Sequence, residues 1–303
     1  MTRQSFAPVV LFTYNRPWHT RQTVTALQNN EPARNSELYI FSDGPKNQED
    51  EQNVVEVRRF IRTVSGFKKT IIVEQTENRG LADSIINGVS EVVNDRGRVI
   101  VLEDDLLTGP NFLGFMNTAL DYYQEKNDVW HISGWNYPID SAELPDTFLW
   151  RAMNCWGWAT WADRWQYYRR DPEELIKSFT REDIFRFNLD GNFDFWRQVK
   201  RNAAGKIKSW AIFWYAAIFR HKGLCLNPTR SLVRNIGRDG SGKHCGNGDS
   251  SRSPISHPET MPGDFPERME EDRLALNHIK KYLADEKERA SLKGLICRLI
   301  MQN

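Results

Sequence analysis

Four short runs of apolar residues in the first third of the chain constrain its fold most. They occupy residues 9–12, 38–41, 70–73 and 99–102, and each ends in polar residues or glycine before a helical pattern begins. Strands that are apolar throughout are buried on both faces, and strands that alternate with helices form parallel sheets. The sequence therefore predicts an α/β fold with a mainly parallel sheet flanked by helices.

Polar side chains follow these predicted strands where the strands end. Ligands of open α/β sheets bind outside the carboxyl ends of the strands. We therefore expect one crevice to be lined by residues that follow the runs, namely Asn15, Arg16, Asp43, Asn78, Arg79 and Asp105. Taken alone, Asp43 also fits an ordinary Asp-Gly-Pro turn, and each arginine also fits a surface charge.

Three adjacent carboxylates, Glu103, Asp104 and Asp105, follow the fourth run directly. Their negative charges repel one another, and a hard cation such as Mg²⁺ or Mn²⁺ relieves that repulsion. Such ions take oxygen ligands and are commonly held by one or two carboxylates together with substrate phosphates. The segment therefore predicts a site for a nucleotide diphosphate and its metal, with a solvated acidic turn as the alternative.

Tryptophan is the most over-represented residue type, with 11 in 303 residues. Eight of the 11 lie between positions 150 and 214. Aromatic rings pack against the C–H faces of sugars and so line carbohydrate subsites. We predict acceptor contacts for Trp135, Trp156, Trp158 and Trp196. Core packing is expected for about half of the cluster, foremost Trp161, Trp165, Trp210 and Trp214.

Charge and composition exclude several classes of protein. A formal net charge of +1 removes the argument for broad nucleic-acid binding. The four cysteines lack zinc-finger spacing, and no stretch of sequence is long and apolar enough for a membrane span. We expect a cytoplasmic protein. A peripheral contact of residues 292–301 with the inner face of a membrane is left open, with docking as a plain C-terminal helix as the alternative.

A segment rich in glycine and serine at residues 237–253 predicts a mobile loop. Part of it matches the P-loop pattern, but His244 replaces the Ser or Thr that ligates Mg²⁺, and no helical pattern follows. We interpret the segment as a loop that closes over a bound donor. His244 is then a candidate ligand of the metal or of the diphosphate.

Several motifs together resemble those of GT-A glycosyltransferases. The likeness is strongest to the N-acetylglucosaminyltransferase I group and its bacterial relatives that build surface polysaccharides, and it covers residues 8–245. It rests on Thr-Tyr-Asn-Arg-Pro after the first run, Ser-Asp-Gly after the second, Asn-Arg-Gly after the third and Glu-Asp-Asp-Leu after the fourth. Pro-Asn-Phe at 110–112 and Trp-His-Ile-Ser-Gly-Trp-Asn at 130–136 extend it.

The resemblance implies a nucleotide-sugar donor and inversion at the anomeric carbon. It assigns the nucleotide to Arg16 and Asp43, and we predict further nucleotide contacts for Thr13, Asn15, Asn78 and Arg79. It also assigns ribose, diphosphate and sugar contacts to Glu103 and Asp104, and the Mn²⁺ or Mg²⁺ ion to Asp105.

The family's catalytic base is an Asp in a Trp-Asp-Asp-Trp-like segment, but the counterpart here, residues 210–214, contains no carboxylate. An acceptor hydroxyl loses a proton as it attacks, so a carboxylate within hydrogen-bond reach is expected. We predict Asp194 as the base and Asp239 as the second candidate, with a surface role for Asp194 as the alternative.

We predict a nucleotide-sugar-binding half at residues 1–136, an acceptor-binding half at 137–265, and a C-terminal helix and tail at 266–303. The predicted activity is transfer from a UDP-linked sugar to a glycan or lipid-linked oligosaccharide. Two other classes stay open. A non-catalytic carbohydrate-binding protein explains the tryptophans but not the carboxylates, and a sugar-phosphate nucleotidyltransferase normally has a glycine-rich loop after its first strand.

Overall fold

A computed structural model of the chain describes residues 6–237, residue 239 and residues 260–300, with side chains up to residue 288. Its first third contains β1 (Val9–Thr13), α1 (Pro17–Gln28), a short 3₁₀ helix (Glu31–Asn35), β2 (Glu37–Ser42), α2 (Gln48–Ile61), β3 (Lys69–Glu74), α3 (Leu81–Arg96) and β4 (Arg98–Glu103). The four strands are the four apolar runs, each extended by one or two residues. Alternation of strand and helix is therefore confirmed here.

The remaining elements are shorter and less regular. They are β5 (Leu106–Thr108), α4 (Phe112–Tyr122), β6 (Val129–Ser133), β7 (Thr147–Trp150), β8 (Trp158–Trp161), α5 (Ala162–Trp165), α6 (Pro172–Ser178), α7 (Arg181–Phe187), α8 (Trp196–Ala203), α9 (Ala211–Arg220), β9 (Leu224–Pro228), β10 (Val233–Asn235) and α10 (Arg273–Ile300). Within the described residues, no helix has the length and apolar character that crossing a membrane requires.

One eight-stranded sheet, in the order β3-β2-β1-β4-β8-β6-β9-β7, runs through both predicted halves. All of its pairings are parallel except those of β8 and β7, while β5 and β10 form a separate antiparallel ribbon. The predicted α/β fold with a mainly parallel sheet is thus confirmed. Strands β1 to β4, β6 and β9 all end at one side of the sheet, which we call the carboxyl edge; the opposite side is the amino edge.

Successive residues of the central strands point to opposite faces of the sheet, and each face carries its own core. One core contains Val10 and Val101 and is covered by α3, α8 and α9. The other contains Leu11 and Ile100 and is covered by α1 and α4. All buried tryptophans except Trp161 belong to the first core, so the aromatic residues are concentrated on one face.

Candidate active site

The loop after β1 and the loop after β4 meet at the carboxyl edge through an ion-pair network. Arg16 Nη1 lies 3.0 Å from Asp105 Oδ2, and Arg16 Nη2 contacts Asp104 Oδ1. Burial lowers the pKa of the guanidinium, but the charges of Asp104 and Asp105 outweigh this effect and raise the pKa of Arg16 above its usual value. The structure therefore brings the predicted diphosphate and metal residues together.

Glu103 completes this cluster of three carboxylates and one guanidinium. Its side chain is half-buried at the end of β4. Burial, followed by the charges of Asp105 and Asp104, raises the pKa of Glu103 to about 8. Burial also raises the pKa of Asp104. The site thus holds more negative charge than Arg16 neutralises, which favours binding of a cation.

Asp105 offers a lone pair for that cation. Its Oδ1 atom is buried and has no hydrogen-bond partner among the residues that the structure describes. The other oxygen is covered by Arg16 and by Gly237, where a Cβ atom would lie 2.2 Å from Asp105 Oδ2. No described group of three or more His, Cys, Asp or Glu side chains is arranged to hold a metal. The residues therefore fit an ion held by one or two carboxylates and a ligand's phosphates.

The carboxylate of Asp43 is the hub of a second network at the same edge. Its Oδ1 accepts from the backbone N–H groups of Gly44 and Arg79, at 2.9 and 2.8 Å. Its Oδ2 accepts from Asn78 Nδ2 and from the N–H of Gly80, at 3.0 and 2.9 Å. Asp43 therefore joins the loop after β2 to the start of α3, and a direct nucleotide contact by it stays a prediction.

A third network links the loops after β1 and β2, and sequence reasoning missed its central residue, Asp50. The Tyr14 hydroxyl donates to Asp50 Oδ2 at 2.7 Å, and the Asn15 amide nitrogen donates to Asp50 Oδ1. Burial and then the hydrogen bond to Asp50 raise the pKa of Tyr14 to about 12. Asp50 lies in the first turn of α2 behind its cap, Asn47. In the sequence, Asp50 is one of three adjacent acidic residues in the first turn of α2. Acidic residues are common at helix N-termini, so nothing marks Asp50 as part of a site.

Thr13, another predicted nucleotide residue, is buried at the end of β1. Its carbonyl accepts from the N–H of Asp43 at 3.0 Å. The hydroxyl lies 3.5 Å from the carbonyl oxygen of Phe41. The contacts of Thr13 therefore join the end of β1 to β2 and to the loop that follows it.

Two predicted acceptor residues, Trp135 and Trp156, are half-buried at the carboxyl edge. Their rings meet edge to face with centroids 4.7 Å apart. Trp135 follows β6 and Trp156 precedes β8, and β8 runs antiparallel to both β4 and β6. These two rings therefore form an aromatic wall at the carboxyl edge.

The other two predicted acceptor residues are core residues instead. Trp158 is buried and packs between His131 and Trp210, at centroid distances of 5.4 and 5.1 Å. Trp196 is buried and stacks on Phe179 at 5.0 Å. Neither ring is open to a sugar, so both assignments are wrong. Core packing is confirmed for the four tryptophans expected there, which are Trp161, Trp165, Trp210 and Trp214.

The structure does not bring Asp194 to the carboxyl edge. Asp194 is exposed, and its Oδ1 accepts from the N–H of Arg197 at 3.0 Å, which caps α8. That end of α8 packs through Trp196 and Phe179 against Phe219, at the end of α9. Because α9 leads into the start of β9, this region belongs to the amino edge. The assignment of Asp194 as the base is therefore corrected to a helix cap.

Asp239, the second base candidate, lies close to α1. Its Oδ2 atom is 3.0 Å from Nε2 of His19, a buried residue in the first turn of that helix. Asp239 is two residues from Gly237, which lies against Asp105, so Asp239 is close in sequence to a residue that contacts the carboxylate cluster. His244 and most of the predicted loop at 237–253 lie outside the described residues.

Comparison with known proteins places the chain in a family. Residues 9–181, more than half of the chain, match the model described as glycosyl transferase family 2. The chain belongs to this family. The transferase is thus an enzyme, and neither a non-catalytic sugar-binding protein nor a nucleotidyltransferase, the two alternatives left open by the sequence. No curated protein sequence matches it.

Solved structures resemble the transferase only distantly. The mannosyltransferase PcManGT from Pyrobaculum calidifontis, in complex with GDP-Man and Mn²⁺, is 14% identical with a TM-score of 0.45, over 72% of this chain and 70% of that one. An active-site mutant of LgtC is 10% identical with a TM-score of 0.37, over 70% of each chain. A UDP-glucose pyrophosphorylase in complex with UDP-glucose is 11% identical with a TM-score of 0.36, over 73% and 90%. These scores add no argument to the family match.

Proposed function

We propose that this family 2 enzyme is a metal-dependent transferase that moves a sugar from a UDP-linked donor to a glycan or lipid-linked oligosaccharide. We further propose that it belongs with the N-acetylglucosaminyltransferase I group, inverts the anomeric centre and serves bacterial surface-polysaccharide synthesis in the cytoplasm. The observation that carries the proposal is the contact of Arg16 with Asp104 and Asp105 at the carboxyl edge. The contact supports the proposal because guanidinium groups commonly pair with phosphates and adjacent carboxylates favour a bound cation.

A divalent ion, Mn²⁺ or Mg²⁺, would be held by Asp105, whose Oδ1 is buried without a described partner. When bound, the ion would supply positive charge that stabilises the departing nucleoside diphosphate. Arg16 would bind the same diphosphate through guanidinium N–H groups other than the two that face Asp104 and Asp105, since a guanidinium carries five such donors. Glu103 and Asp104 would contact the ribose and the transferred sugar, since they project from the same strand end.

The acceptor would lie against Trp135 and Trp156, the aromatic wall at the carboxyl edge. Sugar C–H faces pack on such rings, and the indole N–H groups donate hydrogen bonds. Asp239 is the remaining candidate for the base that accepts the proton of the attacking hydroxyl, and Asp239→Asn is expected to lower turnover about 100-fold. Turnover that stays within a factor of two would exclude that role.

Calorimetric titration with UDP and Mn²⁺ tests the site. The parent enzyme is expected to bind the pair, and Asp105→Asn is expected to bind it about tenfold or more weakly. The matched control is Asp95→Asn, which removes a carboxylate that is 68% exposed on α3. Equal affinities of the parent and Asp105→Asn for UDP with Mn²⁺ would contradict the proposed metal ligand.

A further inference from the structure

A cleft of about 400 Å³ opens at the amino edge of the sheet, away from the carboxylate cluster. Gly223 and Leu224, at the start of β9, line it together with residues from α6, α7, α9 and the segments that follow β7 and precede α10. Among the described residues that line this cleft, none belongs to the candidate active site. The cleft is therefore a separate cavity, for which the transfer reaction gives no use.

Two of the four basic residues that line the cleft, Arg151 and Arg220, are paired with carboxylates. The Arg151 guanidinium contacts Asp190 and Glu271, each at 3.0 Å, and Arg220 pairs with Glu174. These ion pairs join segments that are distant in sequence. The cleft is therefore bounded by cross-linked walls and not by loose surface side chains.

The other two basic residues of the lining, Arg186 and Lys222, form no ion pair with any residue that the structure describes. One further carboxylate, that of Asp183, lines the cleft, and its Oδ2 already accepts from the backbone N–H and the hydroxyl of Thr180, at 2.9 and 2.6 Å. Two positive charges thus line the cleft without a carboxylate in contact. This arrangement favours an anionic ligand.

Lys222 occupies a backbone position that usually belongs to glycine. It follows α9 with a φ of 56°. Its N–H donates to the carbonyl of Phe219 at 3.1 Å, and the N–H of Gly223 donates to the carbonyl of Ile218 at 2.8 Å. These two bonds define a Schellman motif, whose left-handed residue is most often glycine because a Cβ atom is crowded there. Lysine costs stability at this position, which points to a use for its side chain.

Two aromatic rings line the same cleft. Phe179 and Phe219 are half-buried, with ring centroids 5.7 Å apart. Phe179 also stacks on the buried ring of Trp196 at 5.0 Å, which fixes its orientation. Aromatic faces pack against the C–H groups of sugar rings, and the hydroxyl of Ser178 adds a donor and an acceptor. Aromatic rings beside unpaired cations suit a sugar that carries a carboxylate better than a small free anion.

We infer that this cleft is a second saccharide site, which binds an acidic sugar unit through Arg186 and Lys222. The carboxylate of the sugar would accept from the guanidinium and the ammonium group, and the C–H face of its ring would pack on Phe179 and Phe219. The choice of a saccharide rests on the proposed function, because a glycan acceptor brings further sugars to the enzyme. Since the cleft lies at the amino edge, it would retain a glycan without taking part in the transfer.

Calorimetric titration of the folded full-length chain with tri-galacturonate, without nucleotide or metal, tests this inference. Maltotriose serves as the neutral saccharide of the same length, and acetate as the anion without a sugar. We expect tri-galacturonate to bind about tenfold or more tightly than maltotriose, and acetate not to bind at the same concentration. Because charged groups make the contact, added salt should weaken the binding of tri-galacturonate.

Lys222→Gly separates binding from folding. Glycine suits a φ of 56°, so this variant should melt at or above the temperature of the parent and yet bind tri-galacturonate about tenfold more weakly. Arg186→Gln should weaken binding to a similar extent. Arg181→Gln, which removes an exposed arginine of the same helix outside the cleft, is the matched control and should keep the affinity of the parent.

Three results would overturn the inference. They are tri-galacturonate binding no tighter than that of maltotriose, no binding of any saccharide, and full affinity in both Lys222→Gly and Arg186→Gln. Titration of UDP with Mn²⁺ against the same proteins reports on the proposed function separately. Both variants should bind that pair as the parent does, because their side chains lie away from the carboxyl edge.

Discussion

Protonation of His131 should destabilise the fold in mild acid. The imidazole is fully buried on β6 and stacks on Trp158. Its Nε2 lies 3.0 Å from the carbonyl oxygen of Asn154, and its Nδ1 accepts from the indole N–H of Trp214 at 3.2 Å. These partners assign the neutral tautomer with the proton on Nε2. A second proton would place two N–H groups face to face.

Burial lowers the pKa of His131 from 6.5 to about 3, although the bond to Asn154 opposes this shift. Between those values the unfolded chain binds the proton and the folded chain does not. Stability is therefore complete above about pH 6.5 and is lost as the pH falls. Each pH unit below that value costs about 1.4 kcal/mol, which amounts to about 2 kcal/mol at pH 5.

Urea unfolding of the parent and of His131→Gln, followed between pH 7.5 and pH 5, isolates this contribution. Glutamine keeps a donor for Asn154 but does not titrate, and the other groups are common to both proteins. The stability advantage of the parent should shrink by about 2 kcal/mol over this range. His278→Gln, on α10, controls for removal of an imidazole elsewhere. An advantage that stays constant with pH would refute the assignment of a buried neutral histidine.

Further predictions follow from the site and its surroundings. Asp194→Ala should lower the free energy of unfolding by about 1 kcal/mol through loss of the α8 cap, and a kcat more than tenfold below the parent would contradict this role. Gly237→Ala should weaken UDP binding in calorimetry, because its Cβ would lie 2.2 Å from Asp105 Oδ2; unchanged affinity would show that the segment moves freely. Trp156→Ala should raise the KM for acceptor at nearly constant melting temperature, whereas Trp158→Ala should cost about 3–5 kcal/mol of stability. The opposite pattern would reverse the two roles.

The first part of the sheet, from β1 to β4, was predictable because its signals are local. Strands buried on both faces are apolar throughout, so the four runs and the polar residues after them could be read directly from the sequence. The parallel sheet then brings those polar residues to one edge, as the contact of Arg16 with Asp105 shows. Prediction of the sheet, and of the polar side chains that meet at its carboxyl edge, therefore succeeded.

The part of the chain that follows β4 resisted prediction because its order is set by tertiary packing. Strand β8 contains Trp158 and Trp161. The sequence of these four residues does not show whether either ring faces a core or a crevice. The burial of the Trp158 ring became evident only from the pairing of β8 with β4 and from the helices that cover that face of the sheet. Asp194 was misassigned for the same reason, since aromatic neighbours indicate burial but not the edge of the sheet. Asp50 was missed because its partners are 35 and 36 residues away in sequence.

Release of the nucleotide from a donor sugar tests the proposed glycosyl transfer most directly. A panel of UDP- and GDP-linked sugars would be incubated with the full-length chain and Mn²⁺ or Mg²⁺, and the free nucleoside diphosphate quantified by chromatography. We expect metal-dependent release of UDP or GDP from at least one sugar, which Asp105→Asn abolishes and Asp95→Asn retains. Release that is unaffected by a chelator and by Asp105→Asn, or no release from any donor by the folded enzyme, would contradict it.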